Sequence, residues 1–152
     1  MRLISGILFA IICPIMNDHI SVLIVDQSID DKGILANASF VLGLTAGREL
    51  PQDTFSYDVK DGEGSIHRYL TQIGHFVRKA GQSKIRELRR KSLETEGTIT
   101  VDYTDDAAPA NYEEYAKNLG SHKGEEIKYR ALYIYGPRDI ILPLTKNLSR
   151  LT

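Results

Sequence analysis

At 152 residues and a formal net charge of −1, the chain is long enough for one domain with a substantial core and has no overall attraction for nucleic acid or anionic lipid. Hydrophobic residues make up 42% and charged residues 26% of the sequence, an ordinary composition for a globular protein. Cys13 is the single cysteine, so an internal disulfide and a zinc cluster of several thiolates are excluded.

An uncharged apolar run follows Arg2 and occupies residues 3–16. It resembles the start of a secretory signal, but it is shorter than the roughly 20 residues that cross a bilayer as a helix. Three interpretations stay open: Met16 is the true start, the run is a signal or anchor, or it packs on the domain. We expect a leader at residues 1–16 and one domain at residues 17–152, in the cytoplasm, which the single cysteine fits.

The stretch from residue 20 to residue 47 predicts a strand, a polar loop and a helix. Aliphatic and β-branched residues at 21–25 favour a buried strand, and three aspartates occupy the loop at 26–32. Apolar residues then recur at helical spacing from Gly33 until Ala46-Gly47, which resembles a C-terminal cap. A strand that leads into a helix in this way is half of an α/β unit, and such folds bind ligands at that junction.

The middle of the chain predicts a hairpin and another short strand. Two glycines in the acidic turn at residues 61–64 separate two strand-like segments at 57–59 and 65–67. Residues 74–77 form the next strand candidate, and a helix is predicted from Gly81 to about Glu94.

The last third predicts two further strands and two helical segments. β-Branched residues dominate the strand at 98–103, and Asn111 is a suitable cap for a helix that ends at Leu119. A strand at 129–135 precedes a C-terminal helical segment that Pro143 interrupts. The order of these elements predicts an α/β fold with helices on both faces of a mixed sheet, to which we expect the hairpin to contribute.

Three motifs then carry a resemblance. They are Val25-Asp26-Gln27-Ser28 with Gly33-Ile34-Leu35-Ala36-Asn37-Ala38, Val101-Asp102-Tyr103-Thr104-Asp105 with Tyr112-Glu113-Glu114-Tyr115, and Ala131-Leu132-Tyr133-Ile134-Tyr135-Gly136-Pro137 with Leu144-Thr145-Lys146-Asn147-Leu148. In order and spacing they resemble an uncharacterised bacterial family catalogued as a domain of unknown function, number two thousand, over about residues 20–152. That family is grouped by fold with peptidyl-tRNA hydrolase type II. The resemblance therefore implies a three-layer α/β/α sandwich on a mixed sheet of about four strands, without an established activity.

The residues that match the hydrolase are few. Asn37 stands in the place of its glutamine, Asp102 matches its aspartate, and Lys32-Gly33 remains of its lysine- and glycine-rich loop. The threonine of its last strand falls near Ala131 or Leu132, so that hydroxyl is replaced by an apolar side chain.

Polar residues at strand ends make up the predicted site. If the strands run parallel, Asp26, Asp102, Thr104 and Asp105 meet at one edge of the sheet, near the helix that carries Asn37. Two carboxylates there would act as acid and base or hold a divalent cation, and the alternative is that they cap helices and turns. We therefore predict catalytic roles for Asp102 and Thr104, and ligand binding by Asp26, Lys32, Asn37 and Tyr135. We expect no metal and no cofactor, since the four histidines are scattered.

Charge is unevenly distributed along the chain. Residues 66–91 hold eight basic residues against one acidic residue, and residues 92–126 hold nine acidic residues against two basic ones. This asymmetry would suit an anion such as a tRNA acceptor stem, a dimer contact, or a solvated helix face. The functions left open are a ligand-binding or catalytic cleft, a peptidyl-tRNA hydrolase-like esterase, and a non-catalytic dimerisation module.

Overall fold

The computed structural model of the protein describes residues 18–107 and 111–151. The main sheet contains β1 (His19–Asp26), β4 (Gly74–Ala80), β5 (Ile99–Thr104), β6 (Tyr129–Pro137) and β7 (Ser149–Arg150). A separate hairpin consists of β2 (Val59–Lys60) and β3 (Ile66–His67). The helices are α1 (Lys32–Glu49), α2 (Gln82–Leu93), α3 (Tyr112–Ser121) and α4 (Arg138–Thr145).

The sheet is mixed, and its strand order is β5-β6-β1-β4-β7. β1 and β4 are parallel, whereas β6 is antiparallel to both β1 and β5, and β7 is antiparallel to β4. Consequently β1, β4 and β5 point the same way and end at the same edge of the sheet. The prediction of an α/β fold with a mixed sheet is confirmed.

Helices pack on both faces of this sheet because the strands alternate apolar side chains between them. On one face, Val25 and Ala131 pack against Ala38 and Leu42 of α1. On the other face, Ile24, Leu132 and Ile134 pack against residues of α2 and α4, namely Ile85, Leu88 and Ile141. β1 and β6 are buried on both sides, as their nearly continuous apolar sequences predict.

Side-chain caps fix the starts of two helices. Asp31 Oδ1 accepts a hydrogen bond of 2.9 Å from the Ile34 amide at the start of α1. Asn111 Oδ1 accepts one of 2.8 Å from the Glu114 amide, so the predicted cap of α3 is confirmed. The predicted end of α1 at Gly47 is two residues early, because the helix continues to Glu49.

Three further expectations need correction. The main sheet has five strands and not about four, since Ser149–Arg150 is too short and too polar to read as a strand in sequence. The predicted hairpin forms, but as its own two-stranded sheet, and the antiparallel strands β6 and β7 make the main sheet mixed. Helix α4 runs through Pro143 instead of breaking there.

The predicted leader at residues 1–16 and Cys13 lie outside the described residues. Within residues 18–107 and 111–151, no helix combines the length and the apolar character needed to cross a membrane.

A partly buried polar contact joins the two parallel strands β1 and β4. Ser21 Oγ and His75 Nδ1 share a hydrogen bond of 2.6 Å, and His75 Nε2 contacts the hydroxyl of Thr71. Ser21 is almost fully buried, and Tyr133 of β6 also reaches it. Partial burial of the imidazole lowers the pKa of His75 below its ordinary value.

We therefore expect neutral His75 to stabilise the fold. The unfolded chain binds this proton more readily, so the stability contributed by His75 is complete above its ordinary pKa of about 6.5 and declines as the pH falls below it. Urea unfolding of the wild type and His75→Gln between pH 5 and pH 8, at about half-unit steps, measures this. The stability advantage of the wild type should shrink on acidification. An advantage that grows instead would mean that the fold prefers the charged imidazole.

Candidate functional site

Asp26 ends β1 and is held inside a hydrogen-bond network. Its Oδ2 atom accepts from Ser28 Oγ at 2.7 Å and from Gln82 Nε2 at 2.8 Å. The same Gln82 amide donates to the Tyr129 carbonyl oxygen at 2.7 Å and accepts from the Tyr129 amide at 2.9 Å. The buried Asp26 carboxylate is thus connected through Gln82, at the start of α2, to the first residue of β6.

Asp102 lies on β5 and faces α2. Its Oδ2 atom accepts a 2.6 Å hydrogen bond from Arg89 Nε, and its side chain is 20% exposed against 36% for that of Arg89. The Arg89 guanidinium also lies over the Tyr129 ring, 5.7 Å from its centroid. The short, charge-assisted hydrogen bond from Arg89 fixes the position of this partly buried carboxylate.

Thr104 and Tyr115 lie next to this ion pair. Thr104 is buried, and among the described residues its hydroxyl has no partner of standard hydrogen-bond geometry, although the Tyr115 hydroxyl is near it. Burial, followed by the negative charge of Asp102, raises the pKa of Tyr115. The phenol therefore stays protonated and can donate a hydrogen bond near neutral pH.

Asn37 occupies the opposite face of the sheet from Asp102. Its Oδ1 atom accepts a 3.2 Å hydrogen bond from the Tyr103 hydroxyl. Successive strand residues point to opposite faces, so Tyr103 faces α1 while Asp102 faces α2. The structure thus does not bring the side chains of Asn37 and Asp102 together, because the predicted convergence took no account of this alternation.

The remaining two predicted residues lie apart from these. Lys32 is the exposed first residue of α1. Tyr135 lies opposite Ser21 in the β1–β6 ladder, five residues along β1 from Asp26, or roughly 17 Å. Its ring stacks on His19 with the centroids 5.3 Å apart. Of the six predicted residues, only Asp26 and Thr104 are the last residues of strands that end at the same edge of the sheet, and β6 lies between these two strands.

A groove of about 400 Å³ runs along the outer edge of β5. Its described lining residues come from α1, from β5 and from positions that follow β5 in the chain. The lining residues are Val41, Leu42 and Thr45 from α1, Val101, Asp102 and Tyr103 from β5, and Ala107, Asn111, Tyr112 and Tyr115 beyond it.

The groove combines an apolar floor with hydroxyl groups and aromatic rings. Val41, Leu42 and Val101 provide the floor, and Tyr112 and Tyr115 stand edge to face with their ring centroids 5.5 Å apart. Tyr112 is 80% exposed, so most of its ring is open to solvent. Groove volume and lining both fall within the range of small ligand sites.

Only some of the residues that line the groove could be predicted from the sequence. Asp102 was a predicted site residue, and Tyr112 and Tyr115 were visible as one side of a short helix. Nothing in the sequence predicted that Thr45 and Asn111 would line the groove, because only the tertiary arrangement of α1 and α3 brings them to the edge of β5.

In residues 18–107 and 111–151, no three His, Cys, Asp or Glu side chains are grouped closely enough to hold a metal ion.

A protein family and a solved structure each match most of the chain. A family model described as a protein of unknown function (DUF2000) matches residues 21–151. A solved structure of a protein of unknown function from Agrobacterium tumefaciens strain C58 superposes with a TM-score of 0.76 at 17% identity, covering 89% of this chain and 98% of its own. No curated protein matches. The similarity to the Agrobacterium protein shows a shared fold.

The Arg89–Asp102 pair gives a direct stability prediction. Asp102→Asn leaves the partly buried Arg89 without its carboxylate and should lower the free energy of unfolding by about 1–2 kcal/mol. The matched control is Glu94→Gln at the C-terminal cap of α2. It breaks the exposed Arg90–Glu94 pair and should cost less than about 0.5 kcal/mol. Urea denaturation measures both, and equal losses would contradict a special role for the Asp102 pair.

Proposed function

Since the chain belongs to the DUF2000 family of proteins of unknown function, we propose from its own geometry that it is a ligand-binding domain whose site is the groove along β5. The observation that carries this proposal is the groove itself, of about 400 Å³, with an apolar floor and a tyrosine wall. Of the predicted site residues, Asp102 lines it, Thr104 lies beside Tyr115, and Asn37 supports Tyr103.

The electrostatics of the groove favour a neutral or cationic ligand over an anionic one. Its lining contains no Lys or Arg among the described residues, and its carboxylate, Asp102, already accepts from Arg89. A phosphate group in the groove would therefore meet no cationic side chain among its described lining residues.

A peptidyl-tRNA hydrolase-like activity receives less support. The type II hydrolase-like sandwich agrees with helices on both faces of a mixed sheet, and we retain it as a proposal about fold. Hydrolysis needs an activated nucleophile or base, whereas Asp102 is held by Arg89 and Tyr115 has a raised pKa caused by burial. We therefore assign Asp102 and Thr104 to the support of a binding site.

The uneven distribution of charge gives less support for tRNA binding or for dimerisation than the sequence suggests. Several basic residues of α2 form ion pairs within the chain. Lys84 and Lys91 both pair with Glu87, and Arg90 pairs with Glu94. The hydrogen bonds that Lys91 and Lys84 donate lower the pKa of Glu87 to about 2. Four of the five basic side chains of α2 thus have a carboxylate partner, so this helix carries less unpaired positive charge than its sequence suggests.

Filling the groove should remove ligand binding without unfolding the domain. Thr45 is an exposed residue of α1 at the groove, so Thr45→Trp should occupy it, whereas Ala36→Trp adds the same bulk to an exposed position of α1 outside the lining. A thermal-shift screen with neutral, cationic and anionic aromatic fragments compares the two variants with the wild type. A fragment at about 100 times its Kd adds roughly 2.7 kcal/mol of stability.

We expect neutral and cationic fragments to stabilise the wild type and Ala36→Trp but not Thr45→Trp. Fragments that stabilise all three proteins equally would bind elsewhere, and this result would refute the groove as the ligand site.

A further inference from the structure

The hairpin of β2 and β3 belongs to a longer arm, which comprises residues 55–71. A 2.8 Å hydrogen bond from the Ser56 amide to the Leu70 carbonyl oxygen closes the base of this arm, and β2 pairs with β3 farther along it. Every residue from 57 to 70 is exposed. A single two-stranded hairpin is at best marginally stable in water unless it packs against another surface. The arm is therefore an element that needs a partner.

Large apolar side chains lie on both faces of the arm. Side chains alternate between the two faces along each strand, and residues that are opposite each other share a face. One face thus carries Tyr57, Val59 and Tyr69, and the other carries Ile66 and Leu70. The first three side chains belong to residues that are 77%, 50% and 52% exposed. An exposed apolar cluster of this kind is typical of a protein–protein interface.

Helix α1 has a second exposed apolar surface. Its buried side chains pack on the sheet, whereas Phe40 and Leu44, on its outer side, are 65% and 63% exposed. The sequence contains no charged residue from Gly33 to Gly47. A surface helix normally has polar residues opposite its buried stripe, and a helix that is apolar all round is covered on more than one side. The outer side of α1 therefore has the composition of an interface.

Two glycines keep the outer side of α1 open beside these apolar side chains. At roughly 100° per residue, Gly43 and Gly47 lie on the same side of the helix as Phe40 and Leu44, and Thr45 of the groove lies about 100° beyond Leu44. A Cβ atom added at either glycine would meet no described atom within 4 Å beyond its chain neighbours and the adjacent helix backbone. Aromatic rings of another molecule can therefore reach the backbone of α1 without displacing its side chains.

The two surfaces together have the area that a dimer of the chain needs. Five side chains, two on α1 and three on one face of the arm, each offer on the order of 100 Å² of exposed area, or roughly 500 Å² per copy. A stable interface of standard size takes about 800 Å² from each partner, of which a little over half is apolar. The exposed apolar area of one copy therefore matches the apolar share that such a dimer requires.

We propose that the chain forms a two-fold symmetric dimer in which the arm of each copy lies on the outer side of α1 of the other copy. Tyr57, Val59 and Tyr69 then pack against the partner's Phe40 and the partner's Leu44. A two-fold axis repeats this contact, so both surfaces of each copy are covered at once. These surfaces differ from the charged segments and lie outside the groove, so the inference is independent of the proposed function.

Sedimentation velocity of the full-length protein, over about a hundredfold range of concentration, should show a monomer–dimer equilibrium. Leu44→Glu places a charge on the outer side of α1 and should weaken the dimer about tenfold or more. The matched control is Leu93→Glu, the same change at a similarly exposed leucine of α2, on the opposite face of the sheet, and it should leave the dimer unchanged. A wild type that stays monomeric, or equal effects of the two substitutions, would overturn the proposal.

A mixture of two variants tests the exchange of arms. Tyr57→Lys alone, like Leu44→Glu alone, should be largely monomeric, because each substitution alters both contacts of a symmetric dimer. Mixed in equal amounts, the two variants should form a heterodimer, since one contact is then wild type and the other places a lysine opposite a glutamate. Ile66→Lys, on the other face of the arm, is the control and should still dimerise. A mixture that stays monomeric, or equal dissociation by Ile66→Lys and Tyr57→Lys, would overturn the proposed contact.

The apolar run at residues 3–16 is an alternative occupant of the same surface from within the chain. Phe9→Glu in the full-length protein places a charge in this run, and we expect it to leave the dimer unchanged in sedimentation. A wild-type monomer that becomes a dimer when Phe9→Glu is introduced would assign the surface to this run and overturn the proposal.

Discussion

The position of β6 between β1 and β5 is the constraint on which the rest of the structure depends. Because β6 is antiparallel to both neighbours, β1 and β5 run the same way and end at one edge of the sheet. The same arrangement leaves β5 with one paired side and one open side. The Gln82 side chain secures the start of β6, since its amide bonds both main-chain groups of Tyr129 and the Asp26 carboxylate.

Local sequence signals were sufficient for much of this fold. Runs of β-branched and aliphatic residues identified β1, β5 and β6, and Asn111 identified the start of α3. Signals of this kind act within a few residues and are independent of tertiary contacts. They could not reveal β7, because its Ser149 and Arg150 form a strand only through pairing with Lys79 and Arg78 of β4.

The candidate site was harder to predict, for a reason that Asp102 and Tyr103 illustrate. These two neighbours point to opposite faces, and one contacts Arg89 of α2 while the other contacts Asn37 of α1. The sequence specifies the alternation but not which helix covers which face. It also contains no local sign that β5 is terminal, and that placement is what opens a groove between Thr45 and Tyr112. Charge along the sequence misled similarly, because pairs such as Lys91 and Glu87 neutralise one another on a helix.

The central claim is that β5 has an open edge at the groove. Amide hydrogen exchange of the free protein, followed by NMR for residues 99–103, tests this most directly. The amides of Thr100 and Asp102 should exchange much faster than those of Val101 and Tyr103, which bond to β6. Equal protection of all four amides would mean that the outer side of β5 is already paired and would contradict the account.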